Sequence, residues 1–178
     1  NQVKTISEFA RKHGLKMHLD GARFFNAIIK TGDKAIDYGS YFDSISICLS
    51  KGLGAPVGSV LVCKKELEPK ARRIRKAFGG GMKQAGFLAA AGTYALNNHI
   101  TRLKEDHVRA AELGKGLANA SWVKSVMPVD TNIVIFSVTN QTTPEQILNK
   151  LAEYQIKAIK FGAKEIRLVT HLDFDDAM

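Results

Sequence analysis

An amine, a carboxylate and a few guanidinium groups at predicted strand ends define the chemistry open to this sequence. Lys51 follows a predicted buried strand at residues 44–49 and directly precedes Gly52-Leu53-Gly54-Ala55-Pro56. A sheet would fix its Cα while small residues leave open space around its ammonium. Desolvation in such a place disfavours the charged amine and frees it as a nucleophile, the requirement for a Schiff base. The same placement also describes an ordinary strand-terminal lysine reaching solvent. Asp20 and Arg23 stand at the carboxyl end of a neighbouring predicted strand, the edge where open α/β sheets usually place ligands. A carboxylate facing a lysine-linked aldehyde cofactor is the arrangement that pyridoxal phosphate requires, because the ring nitrogen must stay protonated to act as an electron sink. At ~4 Å and an effective dielectric of ~20 that pair is worth roughly 4 kcal/mol before the carboxylate's desolvation is deducted. The plainer roles are an N-cap for the segment at Ala22 in the case of Asp20, and a surface ion pair in the case of Arg23.

Other chemistries fit less well. In Gly52-Leu53-Gly54-Ala55-Pro56-Val57-Gly58 the third glycine falls one residue late for a dinucleotide fingerprint, and no phosphate-loop signature occurs. The chain carries 26 Lys and Arg against 17 Asp and Glu, a formal net charge of +9, so an anionic partner has to be considered. The basic run of Lys70, Arg72, Arg73, Arg75 and Lys76 lacks the interleaved aromatics of a nucleic-acid module and reads as a solvated or subunit-facing helix. Cys48 and Cys63 have no zinc or disulfide spacing and point to a reducing, cytoplasmic setting. No metal site is expected. No apolar run approaches the ~20 residues of a membrane span. A hydrophobic fraction of 45% and a charged fraction of 24% over 178 residues exclude disordered and disulfide-scaffold classes and permit a real core.

The elements that must position these residues alternate between strand and helix. Ile6, Phe9 and Ala10 fall at helical spacing over 4–13 and share an apolar face, and Gly14 follows as the C-cap. A strand at 15–19, a helix at 24–30 ended by Thr31-Gly32-Asp33, and buried strands at 44–49 and 58–63 follow. A basic helix over 66–78 is interrupted by Gly79-Gly80-Gly81, and one long helix is expected from about 83 to 119, where Leu103, His107, Ala110 and Leu113 share a face. Beyond it come a strand at 132–138, a helix from Thr143-Pro144-Glu145 to about Tyr154, and strands at 156–159 and 166–172. Asp173 or Asp175 reads as the cap of a further helix, and both ends of the sequence read as cut. The domain boundary is placed at 118–128, giving a first part over 1–120 and a small second part over 121–178.

Four blocks then resemble low-specificity L-threonine aldolase. They are His18-Leu19-Asp20-Gly21-Ala22-Arg23, the run from Ser46-Ile47-Cys48-Leu49-Ser50-Lys51 to Val57-Gly58-Ser59, Gly79-Gly80-Gly81-Met82-Lys83-Gln84, and Ile166-Arg167-Leu168-Val169-Thr170-His171. The resemblance implies an α/β fold of type I pyridoxal phosphate enzymes: part of a large domain with a mixed sheet, then a small α+β domain. It implies that Lys51 binds the cofactor as a Schiff base, that Asp20 pairs with the pyridine nitrogen, and that Arg23 lies near the ring oxygen. It also implies that Arg167 binds the carboxylate of a small amino-acid substrate and that Lys83, with Lys76 beside it, approaches the cofactor phosphate across a subunit interface. An arginine is frequent at the Lys83 position, and a lysine there acts as a point charge without the bidentate geometry.

The family's phosphate loop and ring-stacking histidine have no counterpart in this sequence, and His18 does not match the latter. The expectation is therefore a partial copy, inactive and poorly soluble alone, of a homo-oligomeric aldolase that releases glycine and acetaldehyde from threonine, with no nucleic-acid or membrane partner. An aminotransferase or β-eliminating lyase of the same fold is the alternative, and a basic nucleic-acid-binding domain the more remote one.

Overall fold

The computed structural model describes residues 2–178. They form two compact units that divide between Ile100 and Thr101. The first opens with α1 (Gln2–Lys12), β1 (His18–Gly21), α2 (Phe24–Thr31), α3 (Ala35–Tyr41), β2 (Ser44–Cys48) and β3 (Ser59–Cys63). A single 3₁₀ turn at Lys65–Leu67 leads into α4 (Glu68–Ala77), and α5 (Gly86–Asn98) completes the unit. Its sheet has the order β1-β2-β3. β1 pairs with β2 in parallel, with Asp20 opposite Ser46 and Gly21 opposite Ile47, whereas β3 runs antiparallel to β2. The mixed sheet expected of the first part is therefore present.

One face of this sheet is apolar. Leu19, Ile45 and Ile47 pack with Phe24, Tyr38 and Phe42 of the crossover segment, as period-two alternation requires. Gly21 lets the end of β1 come close to β2, since a Cβ there would stand 2.5 Å from the Ser46 carbonyl oxygen and 3.2 Å from Cβ of Phe24. Asp43 fixes the other end of the pair. Its Oδ2 accepts from the Met17 amide at 2.9 Å, its Oδ1 accepts from Lys64 Nζ at 2.9 Å, and Lys16 stands 3.7 Å away. The Met17 amide first, then the Lys64 ammonium, hold the Asp43 carboxyl down at about 2.

The second unit contains α6 (Leu103–Ala118), β4 (Val123–Val126), β5 (Ile133–Val138), α7 (Pro144–Glu153), β6 (Ile159–Lys160) and β7 (Glu165–Val169). Its antiparallel sheet has the order β4-β5-β7-β6. Val134, Phe136 and Val138 alternate into the core, where Phe136 and Val138 meet Ile166, Trp122, Ile147 and Leu148. Thr143 and Gln146 form a reciprocal capping box at the start of α7, with Pro144 in its first turn. Thr170 Oγ1 donates to the Asp106 carbonyl at 2.7 Å, and Asn132 Nδ2 donates to the Thr170 carbonyl at 2.8 Å, which ties α6 to the ends of β5 and β7.

Several expectations from sequence need correction. The single helix over 83–119 is two, α5 and α6, because the His99 amide closes α5 on the Ala95 carbonyl and α6 restarts after the turn at 99–102. The compact units accordingly divide at residue 100, and α6 belongs with β4 and β5 rather than with the first part. Ile6 and Phe9 are 56% and 62% exposed; α1 instead buries the small residues Ser7 and Ala10, and Ser7 Oγ donates to the Tyr41 carbonyl at 2.7 Å. β3 is an exposed edge strand rather than a buried one. The first strand begins at His18, the strand expected at 156–159 is reduced to Ile159–Lys160, and α3 and β4 were not anticipated. No helix follows Asp173 or Asp175, although Asp175 Oδ1 accepts from the Ala177 amide at 2.9 Å. Among the described residues no helix is long and apolar enough to cross a membrane.

Two outcomes test this packing. The folded carboxyl of Asp43 lies below its ordinary value of 3.8, so its contribution is complete above that value and is lost as the pH falls toward 2. Asp43→Asn is expected to lower the thermal midpoint at neutral pH and to flatten the fall in stability between pH 4 and pH 2; acid titrations followed by near-UV circular dichroism compare the two proteins, and equal slopes would remove this role. Gly21→Ala is expected to cost about 1–3 kcal/mol in chemical denaturation, as overpacking against a backbone carbonyl does. A variant as stable as the parent would show that β1 and β2 can separate without penalty.

Candidate active site

Parallel pairing puts the carboxyl ends of β1 and β2 on one edge of the sheet. Asp20 leaves β1 on the face opposite the apolar cluster, which it shares with His18 and, across the register, with Ser44, Ser46 and Cys48. His18 Nδ1 and Ser44 Oγ are hydrogen-bonded at 2.8 Å on that face. The Asp20 carboxylate is exposed, and its Oδ1 accepts from the Ala22 amide at 3.1 Å. This short turn is the local role available to Asp20; the N-cap of α2 is Arg23 instead, whose carbonyl accepts from the Ala27 amide at 3.1 Å. Arg23 is half-buried one turn beyond Asp20, at the same edge.

Lys51 follows β2 by three residues and is exposed. Its loop folds back sharply: the Gly54 amide donates to the Lys51 carbonyl at 2.9 Å, the Ala55 amide to the Leu49 carbonyl at 2.9 Å, and the Leu49 amide to the Gly58 carbonyl at 3.0 Å. Gly54 and Gly58, at φ +69° and +108°, supply the left-handed backbone this path requires. Leu49, Leu53 and Ala55 are buried and pin the loop from below. Helix α5 supports it: Gly92 is close enough that a Cβ would stand 3.0 Å from Leu49, and the His99 ring bonds the Leu53 carbonyl through Nδ1 at 2.6 Å. Local pattern did not single out His99, because its part in holding the Lys51 loop comes from a contact 46 residues away in sequence.

Beside Lys51, the Cys48 sulfur lies 3.5 Å from Ser50 Oγ. Burial pushes this thiol up, but hydrogen bonding from Ser50 and the Lys51 ammonium outweigh burial and hold it below its ordinary value.

The structure thus brings Asp20, Arg23 and Lys51 to one sheet edge. Lys83 is elsewhere in the same unit, on the exposed turn between α4 and α5, near Gly79 and Gln84 with their positive φ. Lys76 is exposed in the last turn of α4, a helix with no buried residue.

Arg167 belongs to the second unit, on β7 between Ile135 of β5 and Ile159 of β6. Its Nε is buried and has no hydrogen-bond partner, and its guanidinium carbon lies 5.6 Å from the centroid of the Phe161 ring. Among the described residues no carboxylate pairs with it. A half-buried cation without a counter-charge is costly to a fold unless an anion completes it.

With this geometry in view, the chain compares closely with known proteins. It is 44% identical over 173 residues to the low specificity L-threonine aldolase of Escherichia coli K12, covering 96% of this chain and 50% of that one. It is 40% identical over 172 residues to low-specificity L-threonine aldolase 1 of Arabidopsis thaliana, covering 95% and 48%. The chain therefore spans about half the length of the curated relatives it matches. A crystal structure from Exiguobacterium sp. superposes with a TM-score of 0.82 at 21% identity, and threonine aldolase of Leishmania major with 0.72 at 20%; each covers 98% of this chain and 52% of the other. These superpositions give the chain the α/β fold of type I enzymes, a mixed sheet followed by a small α+β unit. A model of the beta-eliminating lyase family matches residues 1–141, well over half of the sequence, and the chain belongs to that family.

Proposed function

We propose that this chain supplies the anchoring lysine, the ring-nitrogen carboxylate and the substrate-binding arginine of a pyridoxal phosphate-dependent aldolase. Its reaction is the cleavage of L-threonine and L-allo-threonine to glycine and acetaldehyde. The observation that carries the reading is the position of Asp20 and Lys51 at and just beyond the carboxyl ends of two adjacent parallel strands. The similarity to proteins named low-specificity L-threonine aldolase supports the choice of reaction.

The residues fit the cofactor by the chemistry of their donor set: an exposed primary amine on a glycine-rich loop, a carboxylate at the neighbouring strand end, and an arginine with an unsatisfied buried nitrogen for a substrate anion. Pyridoxal phosphate, when bound, supplies an electron sink for the pair left on Cα when the Cα–Cβ bond breaks. Lys51 would hold the cofactor through its amine, Asp20 would keep the pyridine nitrogen protonated, and Arg23 would contact the ring oxygen. Arg167 orients the substrate by its carboxylate, a task suited to a planar fork of donors. The cleavage balances without another reactant: the β-hydroxyl loses its proton, acetaldehyde leaves, and Cα takes a proton to give glycine.

The same reading places the protein in the cytoplasm as a homo-oligomer in which Lys83, with Lys76 behind it, meets the cofactor phosphate of a neighbouring subunit. The exposure of Phe78 and Phe87, at 89% and 86%, on the segments flanking Lys83 supports a covered face there.

In the holoenzyme carrying this sequence, Lys51→Ala is expected to lower threonine cleavage by at least about a thousandfold. It should also abolish the borohydride-trapped cofactor adduct that peptide mass spectrometry otherwise finds on Lys51; an adduct on another lysine would reassign the anchor. Asp20→Asn is expected to retain the adduct while reducing kcat by about a hundredfold or more, because the ring nitrogen loses its counter-charge. Coupled assays for glycine and acetaldehyde separate this reaction from β-elimination, which would yield a keto acid and ammonia instead.

A further inference from the structure

The surroundings of Arg167 raise the question of what holds its guanidinium in place. A planar cation on a strand is ordinarily fixed by a carboxylate, which also neutralises it. Here the acidic residue on the same strand face, Glu165, is turned into the β6–β7 connection: its Oε2 accepts from the Lys164 amide at 3.2 Å and fills the space that a side chain at Gly162 would need. Phe161 takes the position beside the arginine. Its amide donates to the Glu165 carbonyl at 2.9 Å, which continues the Ile159–Arg167 and Lys160–Ile166 register by one pair. Period-two alternation then puts Phe161 and Arg167 on one face as diagonal neighbours, with the guanidinium carbon 5.6 Å from the ring centroid. Ile135 and Ile159 flank the same residue across the two adjoining strands.

Resting on the reading of Arg167 as the substrate-carboxylate binder, we propose that Phe161 is its positioning residue. The negative face of the ring restrains the guanidinium without cancelling its charge. An acidic partner at this position would compete with the carboxylate of an amino-acid substrate for the same donors, and an aliphatic one would leave the cation's plane unrestrained. Phe161 is 54% exposed and lies outside the core cluster of Phe136, Val138 and Ile166, so the aromatic ring is not required to fill the core of the second unit.

The test is steady-state kinetics of the holoenzyme carrying this sequence, together with the Arg167 Nε–H resonance in arginine-labelled protein. Phe161→Leu is expected to raise KM for L-threonine about fivefold, the effect of losing a cation–π contact, and to leave kcat within about twofold. The same variant should remove the ring-current shift of the Arg167 Nε–H signal, and Phe161→Tyr should restore both. Arg167→Leu should raise KM further than Phe161→Leu does. If Arg167→Leu raises KM while Phe161→Leu alters neither KM nor the resonance, the positioning role is overturned and the function stands. If Arg167→Leu leaves KM unchanged, the carboxylate-binding role fails and the positioning role with it. Should Phe161→Leu lose its native circular dichroism, Phe161→Met takes its place under the same criteria.

Discussion

The parallel pairing of β1 with β2 is the constraint on which the candidate site depends. Two strands only four and five residues long place Asp20 opposite Ser46, and the next turns of chain deliver Arg23 and Lys51 at the same edge. A slip of one residue would move Asp20 to the face occupied by Leu19, Ile45 and Ile47 and bury a carboxylate among apolar side chains. The register is held at one end by the absence of a side chain at Gly21 and at the other by the Asp43 carboxylate, which joins the approach to β1, the start of β2 and the residue after β3.

The loop that carries Lys51 is built differently. It has no regular structure, and its backbone hydrogen bonds are internal, from Gly54 to Lys51 and from Ala55 to Leu49. Its rigidity comes from three buried side chains beneath it and from a histidine at the end of α5. An exposed amine on a buried platform suits a group that must be positioned by the fold and still reached by a ligand. The second unit applies the same economy at Arg167, where an aromatic ring and two isoleucine neighbours flank a cation that has no carboxylate partner among the described residues.

The positive charge of the chain has a more modest explanation than its size invites. Much of the excess lies on α4, which buries nothing and whose Arg72 bonds Glu68 at 2.7 Å in an exposed intrahelical pair. Pairs of this kind contribute little to stability. The charge of this helix bears on what approaches the surface around Lys76 and Lys83 more than on how the fold is held.

The sequence by itself determined the chemistry-bearing residues and most of the elements. A lysine after a strand-forming segment and before a glycine-rich turn, an aspartate in His-Leu-Asp-Gly, the alternation of residues 133–138, and Thr143-Pro144 opening a helix are local signals, and local signals survive folding. Tertiary structure decided what depends on contacts distant in sequence. It split the helix expected over 83–119 at His99 and turned α1 so that Ser7 and Ala10, rather than Ile6 and Phe9, face inward. It left β3 as an exposed edge and set Phe161 beside Arg167. Each of these follows from which surface an element finds to bury. A period in one stretch of sequence states that a face exists, while only the assembled neighbours determine which face has something to meet.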